Sequence, residues 1–226
     1  MSSEFTGFSS KSFQFLQGLR KHNTKEWFEV HRQEYQQFIL QPMQALVEEL
    51  APVMSGIDPS LEISPAVNKT ISRIYRDTRF SKDKSPYKIS QWITFKRPRR
   101  EWQNFPAYFF ELSPESYRFG MGFYSADRST MDRFRTHLDA DPALFLAATD
   151  FYSQGQFALE GESYKRPLKS NIQASLQDWY NRKSFYLVSQ HSMQQQDISS
   201  SLADELASAF ETLTPLYHYL IKVIQP

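Results

Sequence analysis

The chain has 226 residues, 40% apolar and 23% charged, with a net charge of +1. That balance belongs to an ordinary globular protein and excludes the disordered and fibrous classes. Its lack of cysteine rules out disulfides, thiolate nucleophiles and cysteine-ligated metals, and fits a reducing compartment. The seven glycines form neither GxGxxG nor GxxxxGK[ST], and no GxSxG occurs. No run approaches the about 18 apolar residues of a membrane span. The start, MSSEFTGFSSKSFQFLQ, lacks the basic and then apolar pattern of a secretory signal. The expectation is a cytoplasmic protein without a membrane partner. Aromatics reach 15%, with 19 Phe and 12 Tyr, so the core is expected to be built largely from rings.

Helical spacing opens the chain. Ser9 or Ser10 is placed to cap a first helix carrying Phe13, Leu16 and Leu19 and ending near Asn23. Thr24 caps a second, with Trp27, Phe28, His31, Tyr35 and Phe38 at helical intervals. Pro42 suits the first turn of a third, with Leu46, Val47, Leu50 and Val53 inward. Ser55-Gly-Ile-Asp-Pro-Ser60 reads as a loop. Strand-like patterns follow at Ile71–Arg76, Ile89–Phe95, Ala107–Leu112 and Tyr117–Tyr124, with a turn at Ser113-Pro-Glu-Ser116. In the last of these strands Gly120 and Gly122 share a face. That points to something coming close, with a packed helix favoured over a ligand.

Ser125 or Asp127 is placed to cap a helix burying Met131, Phe134 and Leu138, and Asp141-Pro142 to start another through Thr149. Residues 153–183 are polar and irregular, with a short helical pattern near Leu176–Trp179. Phe185–Ser189 reads as a further strand. A C-terminal helix opens at Asp197 or Ser199, and Pro215 is expected to interrupt it. The resulting expectation is a single α+β domain over residues 1–226, a central antiparallel sheet flanked by N-terminal and C-terminal helices. Its helices occupy about 10–54, its sheet about 71–124 and its C-terminal helical region about 126–224.

The near-zero net charge conceals a segregation. Residues 71–100 carry ten Lys/Arg against two Asp, a local charge of +8, which leaves −7 for the rest. Within it, RIYRDTRFSKDKSPYK (Arg73–Lys88) packs six cations, Asp77, Asp83 and three aromatics into a connection between strands. Guanidinium forks match phosphate or carboxylate, and connecting segments are where binding residues concentrate. The opposing reading is that Asp77 and Asp83 pair with neighbouring cations and simply hold the loop in shape.

Other constellations are weaker. Lys96-Arg-Pro-Arg-Arg100, followed by Trp102, interleaves charge with an aromatic as nucleic-acid sites do, but also suits a solvated hairpin tip. His31 and Glu34 share a helix face as a poor metal half-site; no metal is expected, and no cofactor is indicated. Ser81 or Ser85 with Lys84 would be a nucleophile and base only by sequence adjacency. Among so many cations Asp77 is expected to stay ionised, as a salt-bridge partner. The sequence assigns no reaction and leaves open whether the protein is an enzyme.

Asn23-Thr-Lys-Glu-Trp27-Phe28, the whole Arg73–Lys88 block, Gly120-Met-Gly122-Phe-Tyr124 and Met131-x-x-Phe134-Arg135 together resemble the domain of unknown function 2461 family of bacteria and fungi. The Gly161-Glu162-Ser-Tyr-Lys165-Arg166-Pro block is also similar to it, and the likeness runs from about Phe13 to Leu220. The resemblance implies one structural unit and brings no activity, cofactor or catalytic residue. It marks Arg76, Asp77, Arg79, Phe80, Lys82, Asp83, Lys84, Tyr87, Lys88 and Arg135 as family-pattern residues. The leading expectation is a protein that binds a phosphorylated or otherwise anionic small molecule through Arg73, Arg76, Asp77, Arg79, Lys82, Lys84, Tyr87, Lys88 and Arg135. The alternatives are a nucleic-acid-associated protein, and a protein-interaction domain whose charged loop is structural.

Overall fold

The computed structural model of the protein describes residues 4–100, 102–169, 171–192 and 197–224. Among these, strands β1 (Gln91–Phe95), β2 (Pro106–Leu112), β3 (Ser116–Phe123), β4 (Ala158–Glu160) and β5 (Tyr186–Ser192) form one antiparallel sheet in the order β1-β2-β3-β5-β4. Helices flank it, so the expected α+β class holds. Within this domain the residues group into two compact units. The first holds residues up to Phe95, Phe109–Phe119 and Gln190–Ser208. The second holds Lys96–Tyr108, Gly120–Ser189 and the residues from Ala209 on.

In the first unit α1 (Ser10–Lys21) buries Phe13, Phe15, Leu16 and Leu19. Thr24 caps α2 (Lys25–Val30), its hydroxyl accepting from the Trp27 N–H at 3.3 Å. The chain continues through α3 (Arg32–Tyr35), a π turn over Gln36–Leu40 and α4 (Gln41–Ile57). The wider π turn keeps Tyr35, Ile39 and Met43, each four residues apart, on the buried side. Pro42 does sit in the first turn of α4, but the helix then absorbs Pro52 and ends at Ile57, two residues beyond the expected loop start at Ser55. Rings dominate the packing as composition implies: Phe8 stacks on Phe110 at 5.8 Å, and Phe28 on Tyr87 at 4.3 Å.

Ile71–Arg76 is not a strand, contrary to its pattern. It makes single bridges, Ile71 to Ile93 and Tyr75 to Tyr87. Its backbone bonds divide between two partners: Ser72 N–H reaches Trp92 O at 2.9 Å, while Arg76 N–H reaches Pro86 O at 2.8 Å. No continuous ladder can form when the partner changes within six residues.

The second unit follows its capping signals closely. Asp127 caps α5 (Arg128–Ala140) by accepting from the Thr130 N–H at 2.7 Å, and Met131, Phe134 and Leu138 are buried. Asp141 caps α6 (Pro142–Ala148) through the Leu144 N–H at 3.0 Å. α7 (Ala174–Tyr180) buries Leu176, Trp179 and Tyr180. Phe134, Phe145, Phe185 and Trp179 meet edge-on or tilted, with ring centroids 5.2–5.5 Å apart.

Three expectations need correction. The sheet is not confined to about 71–124: β5 is the further strand expected at Phe185–Ser189, and β4, in the stretch read as irregular, is only three residues long, too short for a periodic signal. Pro215 does not interrupt the C-terminal helix: α8 runs from Leu202 to Ile224 through it. Pro215 and Glu211, whose carbonyl loses its bond, both lie on the exposed side, where water replaces the missing donor. The neighbour of Gly120 and Gly122 is the β5 backbone, not a helix or a ligand. A Cβ on Gly120 would lie 1.8 Å from Leu187 O, and one on Gly122 would lie 2.4 Å from Tyr186 Cα. Closely approaching strands therefore explain both glycines.

Candidate functional site: a charged loop

The Arg73–Lys88 loop belongs to the first unit and is closed at its base by backbone pairing. Arg76 N–H donates to Pro86 O and Lys88 N–H to Ile74 O, both at 2.8 Å. From α1's end, Asn23 clamps the same base: its Oδ1 accepts from Tyr87 N–H and its Nδ2 donates to Tyr87 O, each at 3.0 Å. The carboxamide thus acts as one residue of a strand partner. Tyr87, only 1% exposed, packs its ring on Phe28. It anchors the loop from inside the core rather than offering its ring to solvent.

Above the base the charges fold inward on one another. The Arg76 guanidinium pairs with Asp83 and also reaches Ser85 O and Ser81 Oγ, both at 3.4 Å. Asp83 in turn accepts from the Ser85 N–H at 2.9 Å and the Ser85 hydroxyl at 2.6 Å. Arg79 grips Asp77 in a fork, Nε to Oδ1 at 2.9 Å and Nη2 to Oδ2 at 2.6 Å. The Lys84 ammonium donates to Thr78 O at 2.9 Å. Phe80 stands at the tip, 94% exposed.

These contacts set the electrostatics. Hydrogen bonds from the Arg79 side chain and backbone hold the Asp77 carboxyl down at about 2. Bonds from Ser85 and then Arg76 hold Asp83 well below the usual carboxylate range. Both acids are therefore committed to the loop itself, as a salt-bridge role for Asp77 requires. Arg73 and Lys82 are exposed and Lys88 is half-buried, and none has an ion-pair partner among the described residues. Burial, and then the neighbouring Arg73, push the Lys88 ammonium below its ordinary value. Arg73 therefore acts on the Lys88 ammonium, and it acts on the Asp77 carboxylate as well.

Arg135 lies in the second unit and is 5% exposed. Its Nε donates to Tyr180 O at 2.9 Å, its Nη2 to Arg182 O at 2.6 Å and its Nη1 to Asp132 at 2.8 Å. Every edge of that guanidinium is occupied, so its evident work is to tie α5 to the end of α7. The candidate serines are also engaged: Ser85 with Asp83, and Ser81 with Arg76. His31 donates from Nδ1 to Trp27 O at 2.8 Å and stacks on the Trp27 ring at 3.9 Å, which accounts for it without a metal. Among the described residues no three His, Asp or Glu converge as metal ligands. No described helix is long and apolar enough to cross a membrane. Asn23 is the residue that sequence reasoning missed; it acts 64 positions away from Tyr87 and carries no periodic signal.

A family model described as Conserved hypothetical protein (DUF2461) matches residues 11–219. No curated protein matches the chain.

Proposed function

We propose, for a chain that belongs to the DUF2461 family of conserved hypothetical proteins, that it binds a phosphorylated or other anionic small molecule at the Arg73–Lys88 loop. Arg73 and Lys88, together with Lys82 of the same loop, supply the charge. Arg76, Asp77, Arg79, Asp83 and Lys84 hold the loop that presents them. The observation that supports this reading is that both loop acids are engaged by Arg76 and Arg79, while Arg73, Lys82 and Lys88 have no ion-pair partner among the described residues. An anion seated between them relieves their repulsion, and a half-buried site screens that attraction less than open solvent does. The setting we propose is the cytoplasm, where a chain without cysteine lacks nothing for its stability.

The internal ion pairs favour a second reading, in which the loop is structural and the protein is an interaction domain. Thermal unfolding with inorganic phosphate, nucleotides and sugar phosphates separates the two. A ligand at about 100 times its Kd stabilises by about 2.7 kcal/mol, or roughly 5–10 °C for a chain of this size. On the anion reading the shift is present in wild type and lost in a folded Arg73→Gln/Lys88→Gln variant. An equal response from both proteins rejects the loop as the site. A response to RNA alone that falls steeply with salt supports the nucleic-acid alternative instead.

A further inference from the structure

The second unit contains a cleft of about 450 Å3, and none of its lining residues belongs to the Arg73–Lys88 loop. Its charge comes from Arg99 and Arg100, the end of the basic run that follows β1, and from Arg133 on α5. Arg99 and Arg100 are exposed and have no ion-pair partner among the described residues. The Arg99 guanidinium lies over the Phe105 ring, 5.1 Å from its centroid. Arg133 donates through Nη2 to Thr130 Oγ1 at 3.3 Å, while its buried Nε has no acceptor.

Among the described residues one carboxylate lines the cleft, that of Asp127. It already accepts from Thr130 N–H, the Ser129 hydroxyl and Asn104 Nδ2 at 2.7–3.0 Å. Those bonds, the Thr130 backbone N–H first among them, hold it ionised as a helix cap. Among the described lining residues three guanidiniums stand against that one carboxylate. Phe105 and Ile224 supply an apolar wall.

We propose that this cleft is a second ligand site, taking an organic phosphate: a phosphate held by Arg99, Arg100 and Arg133, with a compact apolar or aromatic body against Phe105 and Ile224. Guanidinium forks match phosphate oxygens bidentately. The volume lies in the range of small-molecule sites. A bare inorganic ion leaves the Phe105 and Ile224 wall uncovered, so the organic body adds affinity that the ion lacks. The proposed occupant is a small molecule, and an oligonucleotide tests the polymer instead.

The test is calorimetric titration of the full chain with phenyl phosphate, inorganic phosphate, phenol and a single-stranded oligonucleotide. Phenyl phosphate is expected to bind more tightly than either fragment. Arg99→Gln and Arg100→Gln each weaken it about tenfold, and both positions are exposed enough to leave folding intact. Arg133→Gln is measured alongside, with its melting temperature as the control for folding. The phenyl phosphate binding lost in Arg99→Gln is expected to persist in Arg73→Gln/Lys88→Gln, whatever the loop itself takes up, which separates this site from the loop. The proposal is overturned by no saturable binding in the millimolar range, or by equal binding in Arg99→Gln and Arg100→Gln. Loss in the loop variant alone overturns it too, as does salt-sensitive binding of the oligonucleotide with phenyl phosphate inert.

Discussion

Replacing Asn23 by alanine removes the clamp at the base of the charged loop without touching any of its charges. Two hydrogen bonds disappear, both at 3.0 Å and both to the backbone of Tyr87, a residue only 1% exposed. An ordinary bond contributes about 0.5–1.5 kcal/mol, and a buried group left unpaired costs about 1–3 kcal/mol. The expected loss is therefore about 2–3 kcal/mol. For a chain of this length that lowers the melting temperature by roughly 4–12 °C. Urea denaturation gives the free energy, and amide hydrogen exchange at Tyr87 shows whether the loss is local to the loop base. Asn23→Asp sharpens the test. It keeps an acceptor for the Tyr87 N–H but sets a carboxylate oxygen against the Tyr87 carbonyl, so it fails to restore wild-type stability. An Asn23→Ala protein that melts with wild type and exchanges its Tyr87 amide no faster refutes the reasoning.

The remaining expectations concern the other tethers. Arg76→Ala is expected to stay folded with a melting point near wild type, because the Asp83 side chain it releases is 61% exposed; faster exchange of the loop amides is its signature, and global unfolding contradicts it. Carboxyl NMR should place the Asp77 midpoint at about 2, so its folded value is depressed. The pair then contributes its full stabilisation above the unfolded value of about 3.9 and loses it as pH falls toward 2; a midpoint near 4 dismisses the Arg79 fork. Arg135→Leu strands the Tyr180 and Arg182 carbonyls inside the second unit and is expected to cost about 3–5 kcal/mol, read as a lower urea midpoint. Gly120→Ala drives a Cβ into Leu187 O and is expected to cost at least about 2 kcal/mol; a melting curve unchanged from wild type removes the close-approach argument.

Much of the fold was legible in local chemistry. Thr24, Asp127 and Asp141 announced their helices because a cap is a bond between residues three apart. The two edges of the β2–β3 hairpin were visible for the same reason, with Ser113 N–H closing on Ser116 O at 2.9 Å. The charged loop stood out from composition alone, and so did its membership in a family pattern that brings no chemistry with it. Signals failed where a distant surface made the decision. Pro215 reads as a helix breaker until the apolar stripe on both sides of it is seen to be buried. Ile71–Arg76 has strand spacing but loses its ladder because two partners share its backbone. Gly120 and Gly122 signalled close approach correctly, yet only the register of β5 identifies what approaches.

The same division holds for the candidate site. The sequence by itself determined that six cations and two acids occupy Arg73–Lys88, and so that anions or internal pairs must neutralise them. It did not determine which cation pairs with which acid, because an ion pair depends on where side chains converge, not on their order. The tertiary structure made that choice: Asp83 goes to Arg76, seven residues back, and Asp77 to Arg79, two ahead. It also seated Tyr87 in the core, supplied Asn23 from 64 residues away and left Arg73 and Lys88 without an ion pair among the described residues.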